Sequence, residues 1–248
     1  MEEWKIEKYE VVGMGLRHQK RIQESLDIIS QIMTIAQRPY IACSFGKDSS
    51  VMAHLILSHY PNVPLRFLSS GETRIIHPNL DEVMDYFRKM GAEIIEINID
   101  RVFTEEWKDA TWYEQRQAGH NDFKKHLSDS GGYDCVFMGL RAEESKRREM
   151  SLLRHTPGLP RFCYQYKGKN LIRCCPMARW TTEDIGAYIL EHNIPYLKWY
   201  DHTGFEGRTT ARLTRASIEM GSLRWIRLHN PDGWKKLVKR FPEFQAMM

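Results

Sequence analysis

The chain has 248 residues, with 36 Lys plus Arg against 32 Asp plus Glu and a formal net charge of +4. Hydrophobic residues make up 42% and charged residues 27%, a globular composition that excludes disordered, fibrous and disulfide-framed classes. No uninterrupted apolar run exceeds four residues, which argues against a membrane-spanning helix. The charged start MEEWKIEKYE lacks the apolar stretch of a secretory signal. Five cysteines in that setting imply reduced thiols and a cytoplasmic location.

In chain order, residues 16 to 36 read as a helix with Ile22, Leu26, Ile29, Met33 and Ala36 on one face. Tyr40 to Cys43 is a short apolar run suited to a buried strand, and Val51 to Tyr60 resumes a helical pattern. Leu65 to Leu68 reads as a strand, Ser69 to Glu72 as a polar loop, and Pro78 to Met90 as a helix closed by Gly91. Ile94 to Ile99 is a strand, a polar helix is expected from about Thr104 to Leu127, and Asp134 to Met138 is a further strand. Phe162, Tyr164 and Tyr166 alternate ahead of a Lys167-Gly168-Lys169-Asn170 turn, the pattern of a hairpin. Thr181 and Thr182 cap a helix running to about His192.

Strands separated by helix-length segments predict an α/β fold with a doubly wound parallel sheet of about five strands. The expected organisation is an α/β domain over residues 1–194. A basic, aromatic-rich and mostly helical extension would follow over 195–248.

The charge is uneven. Residues 139 to 179 hold ten basic side chains against Glu143, Glu144 and Glu149, and residues 207 to 248 hold nine against Glu219, Asp232 and Glu243. Two basic regions on an otherwise acidic chain suit an anionic partner, a nucleotide or a nucleic acid. In the second region Arg208, Arg212 and Arg215 alternate with hydroxyls. That region reads as a nucleic-acid surface, as a wall over a nucleotide, or as a packed helical cap.

Ser44-Phe45-Gly46-Lys47-Asp48-Ser49-Ser50 lies between a predicted strand and a predicted helix. Gly46 permits close approach of the backbone to an anion, and the first amides and dipole of the helix favour negative charge. Lys47 adds a cation, and Ser44, Ser49 and Ser50 add hydroxyl donors. Asp48 would orient Lys47, accept backbone N–H groups, or help hold Mg²⁺. The loop is not a Walker A motif, because Ile41 stands where its first glycine belongs and Asp48 follows the lysine.

Gly139-Leu140-Arg141-Ala142-Glu143-Glu144-Ser145-Lys146-Arg147-Arg148 follows the Asp134–Met138 strand. In an open parallel sheet this segment and the Ser44–Ser50 loop share the crevice at the carboxyl ends of the strands. Arg141 and Arg148 suit phosphate oxygens, and Glu144 can pair with Arg148 four residues on.

The Ser-Phe-Gly-Lys-Asp-Ser spelling resembles the PP-loop of the adenine nucleotide α-hydrolase superfamily, in its phosphoadenosine phosphosulfate (PAPS) reductase branch. Gly139, Arg141, Glu144, Ser145 and Arg148 match the branch's second motif. Pro176-Met177-Ala178-Arg179-Trp180-Thr181-Thr182-Glu183-Asp184 looks like its third. The likeness covers roughly residues 38 to 200. Gly71 fits a further glycine of the family, whereas Ser69 departs from it.

The resemblance implies an adenine nucleotide α-hydrolase-like fold and a site for ATP and Mg²⁺. The site residues would be Ser44, Phe45, Gly46, Lys47, Asp48, Ser49, Ser50, Gly71, Gly139, Arg141, Glu144 and Ser145. Lys47, Asp48, Arg141 and Arg148 would act in catalysis, with Asp48 on the metal.

A sulfonucleotide reductase of that family needs a nucleophilic cysteine near its C-terminus, and no cysteine follows Cys175. The cysteine spacing also does not suit an iron–sulfur cluster. Cys174 or Cys175, beside Arg173, could instead accept persulfide sulfur, or both are structural.

The resemblance implies an ATP pyrophosphatase that releases AMP and pyrophosphate and activates an oxygen for sulfur transfer in DNA phosphorothioation. A cysteine desulfurase would donate the sulfur, and DNA or DNA-modification proteins would be partners. The alternatives are a PAPS-reductase-type sulfonucleotide enzyme, or a non-enzymatic nucleotide-sensing or nucleic-acid-binding module.

Overall fold

The computed structural model describes residues 2–99, 131–166, 170–209, 213, 218, 219 and 221–246. The helix expected between Thr104 and Leu127, the tip of the hairpin, and Arg212 and Arg215 of the basic segment lie outside the described residues.

Six strands form one sheet: β1 (Pro39–Ala42), β2 (Leu65–Ser69), β3 (Ile94–Asn98), β4 (Cys135–Met138), β5 (Cys163–Gln165) and β6 (Ile172–Cys174). Their order is β3-β2-β1-β4-β6-β5. The first five in that order are mutually parallel, and β5 is an antiparallel edge strand on β6. The order reverses direction at β1. The chain leaves β1 for β2 on one side and later returns to place β4 on the other, which opens a crevice between their carboxyl ends.

The helices follow from their apolar spacing. In α2 (Leu16–Met33), Ile28, Ile29 and Ile32 are buried and Ile22, Leu26 and Met33 pack against the core. The helix α3 (Lys47–Leu57) is buried on every side, as a helix enclosed within the core must be. In α5 (Leu80–Lys89), Leu80, Val83, Met84 and Phe87 face inward. It begins two residues later than Pro78, because the short α4 (Thr73–Ile76) and a turn occupy the intervening chain.

The sequence pattern did not reveal α1 (Glu3–Gly13), where only Tyr9 is buried. It is held against α7 (Thr182–Glu191) by close approach. A Cβ on Gly186 would stand 2.6 Å from the Tyr9 ring.

Helices α6 (Lys146–Leu152), α8 (Trp199–Thr203), α9 (Ser222–His229) and α10 (Pro231–Arg240) complete the described set. Leu223, Ile226, Leu237 and Phe244 join the same core as the sheet. Among the described residues no helix is long and apolar enough to cross a membrane.

Thr181 has the capping role its sequence suggested, and Trp180 is buried beside it. The Trp180 indole donates to Ser25 Oγ at 2.8 Å. Thr181 caps α7 in a reciprocal capping box with Asp184. Buried Asp184 also accepts from His18 Nδ1 at 3.0 Å and pairs with Arg21. Burial alone would raise its pKa, but hydrogen bonds from His18 and Thr181 and the Arg21 charge outweigh that and hold it at about 2, below 3.8.

A carboxylate depressed in the folded state stabilises the fold above its unfolded pKa, and that contribution is lost as pH falls through the folded value. Urea unfolding followed between about pH 5 and pH 2 should show stability falling in that window. Asp184→Asn should flatten the fall and cost about 3 kcal/mol at neutral pH by leaving buried partners unpaired. An unchanged pH slope in the variant would contradict this assignment.

Candidate functional site

The site begins at a strained turn. Phe45 has φ +55, the left-handed region, whereas Gly46 has an ordinary φ of −71. The left-handed residue is thus Phe45 and not the neighbouring glycine, whose expected role was close approach of the backbone to an anion. The cost of about 1–2 kcal/mol is offset by burial of the Phe45 ring against Phe67 at 5.0 Å and Phe87 at 5.9 Å. The ring anchors the loop so that α3 starts at Lys47.

Ser49 fastens the loop. Its Oγ accepts from Ser44 N–H at 3.2 Å and donates to the Gly46 carbonyl at 3.0 Å, and the Ser44 and Ser49 hydroxyls lie 3.2 Å apart. Ser50 Oγ is buried without a hydrogen-bond partner among the described residues.

The amides at the start of α3 are unevenly used. Lys47 N–H donates to Tyr200 Oη at 3.3 Å and Ser50 N–H to Gly46 C=O at 2.9 Å. Among the described residues, no acceptor meets the amides of Asp48 and Ser49. Two first-turn donors at the positive end of a helix dipole form a seat for an anion. Gly139 keeps it uncovered, since a Cβ there would lie 3.0 Å from Asp48 O and 3.1 Å from Ser49 N.

Charge is concentrated on one carboxylate. Lys47 Nζ meets Asp48 Oδ2 at 2.8 Å, and Arg141 Nε donates to Asp48 Oδ1 at 2.6 Å. Lys47 is 5% exposed and Arg141 2%. Arg141 donates onward to Glu143 at 2.6 Å, to Trp180 C=O at 3.3 Å and to Thr182 Oγ1 at 3.3 Å. Burial would lower the Arg141 pKa, but the Asp48, Glu143 and Glu144 carboxylates outweigh it and the net direction is up. Arg141 is therefore an internal brace with four of its five N–H donors engaged within the protein. Both Asp48 oxygens are held by cations, so this carboxylate does not fit a Mg²⁺ ligand in the observed arrangement.

Glu144 Oε2 accepts the Arg141 amide at 3.0 Å and pairs with half-buried Arg148. Ser145 caps α6 by accepting Arg148 N–H at 3.2 Å. The exposed Arg208 donates to the Glu144 carbonyl. Gly71 stands beyond β2, where a Cβ would lie 3.0 Å from Arg240 Nη1, and Arg240 pairs with buried Glu72 at 3.0 Å. Thus the loop, Gly139, Arg141, Glu144, Ser145 and Arg148 converge, while Gly71 lies beside Arg240 of the C-terminal helix, which pairs with Glu72. Sequence reasoning missed Tyr200, whose only signal was an aromatic in a segment rich in them.

The persulfide reading of Cys174 and Cys175 is overturned. All five cysteines are free and buried. Burial pushes Cys174 well above the usual thiol range, and it raises Cys175 despite the neighbouring Arg173. Such thiols are neutral and shielded. Among the described residues no group of three or more His, Cys, Asp or Glu is arranged to hold a metal.

The fold is an α/β fold of the adenine nucleotide α-hydrolase type. The chain belongs to the phosphoadenosine phosphosulfate reductase domain family, which matches residues 38–207. It is 28% identical over 206 residues to sulfate adenylyltransferase subunit 2 of Magnetococcus marinus, covering 74% of this chain and 67% of that protein. It is 26% identical over 195 residues to adenosine 5'-phosphosulfate reductase 2 of Bacillus subtilis, covering 72% of this chain and 74% of that one. The fold is similar to that of PAPS reductase from Candida auris, with TM-score 0.51 and 16% identity over 75% of this chain and 86% of the other.

These relatives correct the functional expectation. They are enzymes of sulfate activation and sulfonucleotide reduction by name, and none points to an ATP pyrophosphatase in DNA phosphorothioation. The sulfonucleotide alternative is the better supported of the readings drawn from the sequence.

The Asp48 contacts predict a further result. Asp48→Asn leaves two buried or nearly buried cations without their shared counter-ion and should lower the unfolding free energy by about 3 kcal/mol. A double-mutant cycle with Arg141→Met, read by urea denaturation, should return a coupling of at least about 1 kcal/mol. Additive effects would show that the pair contributes nothing.

Proposed function

We propose that this protein is a sulfonucleotide enzyme working in the sense of a sulfate adenylyltransferase, moving adenylate between ATP and sulfate. The observation that carries the reading is that relatives covering about three quarters of the chain bear that name. The reductase sense is weakened because every cysteine in the chain is buried.

In this reading the free amides of Asp48 and Ser49 and the Lys47 ammonium hold the phosphates of ATP. A sulfate oxygen forms a bond to the α-phosphorus while the bond to the bridging oxygen breaks. That electron pair departs on pyrophosphate, whose growing charge Lys47 and the α3 dipole neutralise. Arg148 and Arg208, the less buried cations reaching Glu144, are left to meet sulfate. Mg²⁺ would come with the nucleotide, because Asp48 is committed to Lys47 and Arg141. Sulfate itself is the sulfur source, so no desulfurase or DNA partner is required.

The test runs the reaction toward ATP. Purified protein is mixed with adenylyl sulfate, pyrophosphate and Mg²⁺, and ATP is followed by luminescence. ATP formation that requires both substrates is expected. Sulfite release with reduced thioredoxin, and no ATP, would move the assignment to the reductase sense.

A further inference from the structure

Tyr200 comes from α8, outside all three sequence motifs, yet lies within the charged cluster. It is 2% exposed. Its Oη accepts the Lys47 amide at 3.3 Å and would lie 3.4 Å from a Cβ on Gly46. The Lys47 ammonium sits 5.8 Å from the centre of its ring. Phe205 packs on that ring at 5.7 Å.

One hydrogen bond leaves the phenol half used. A hydroxyl accepts and also donates, and among the described residues no acceptor meets the Tyr200 O–H proton. A buried donor without an acceptor costs about 1–3 kcal/mol, so the position calls for a partner the protein chain does not supply. The neighbouring Asp48 and Ser49 amides are unspent in the same way. Three idle donors at one helix start, beside a lysine, specify an oxyanion.

We propose that Tyr200 is a binding residue of the nucleotide site, its hydroxyl oriented by the Lys47 amide and donating its proton to a phosphate oxygen of the ligand. Burial and nearby Asp48 push the Tyr200 pKa up, so the phenol remains a donor throughout the working pH range. The contact makes the C-terminal extension part of the phosphate seat. The inference rests on the adenylyl-transfer reading only for the choice of ATP as the nucleotide.

The experiment measures dissociation constants for ATP and for inorganic pyrophosphate by calorimetry, with melting temperature alongside, on wild type, Tyr200→Phe and Phe205→Leu. Tyr200→Phe keeps the ring and removes only the hydroxyl. It should weaken both ligands about tenfold or more, the range for a hydrogen bond to a charged oxygen, with little change in melting temperature. Phe205→Leu loosens the packing around the ring, so it should lower the melting temperature and leave both constants within about twofold.

Unchanged affinity in Tyr200→Phe would overturn the proposal. So would affinity falling in step with melting temperature in both variants, or wild-type protein that binds neither ligand. Binding without adenylyl transfer would instead count against the enzymatic reading and leave the tyrosine judged by its own ratio.

Discussion

The structure depends on one carboxylate between two cations. Asp48 receives Lys47 at 2.8 Å and Arg141 at 2.6 Å. Those contacts tie the start of α3 to the chain leaving β4, two segments 93 residues apart. Arg141 carries the connection to Trp180 and Thr182, and Glu143 adds a 2.7 Å bond from the Thr182 amide. Ion pairs of this kind are costly to break because each partner is left charged in a poorly solvated place. The cluster is close to balanced, with Lys47, Arg141, Arg148 and Arg208 against Asp48, Glu143 and Glu144. The attraction for an anion therefore rests on the unused amides and the Lys47 ammonium more than on net charge.

The C-terminal segment closes around this centre. Tyr200 reaches the loop after β1, while Arg240, Asn230 and Thr209 reach the chain after β2 at Glu72, Ile75 and His77. Arg208 reaches the chain after β4 at Glu144. Among the described residues, the loops after β1, β2 and β4 are thus each held by at least one polar side chain of the C-terminal segment. Of the roles the sequence left open for this basic segment, these contacts favour a wall against the crevice. Arg208 and Arg240 are engaged with the body of the protein, which leaves fewer free cations there than the residue count suggests.

Much of the architecture was legible because periodicity reports burial directly. The strand and helix alternation, the antiparallel hairpin at Cys163–Cys174 and the Thr181 cap all follow from local residue choice. The gathering of the two motifs into one crevice was legible too, since parallel sheets place such loops together. The missed features depend on contacts distant in sequence. The helix α1 has almost no apolar stripe and is fixed by Tyr9 lying on Gly186. The left-handed turn falls on Phe45 because two distant aromatic rings hold it. Arg141 reads as a phosphate fork in sequence, whereas Asp48, Glu143, Trp180 and Thr182 occupy four of its five donors. The functional expectation failed for a related reason: motifs common to a superfamily mark a nucleotide seat and say little about which oxygen attacks.

The central claim is that the crevice between β1 and β4 binds ATP for transfer of its adenylate to sulfate. Exchange of labelled pyrophosphate into ATP tests this most directly, measured with and without sulfate for wild type and Lys47→Ala. The account predicts exchange that requires sulfate and disappears in Lys47→Ala, assayed below that variant's melting temperature, which should fall because Asp48 loses one of its two cations. Exchange that proceeds without sulfate, or that persists at the wild-type rate in Lys47→Ala, would contradict it.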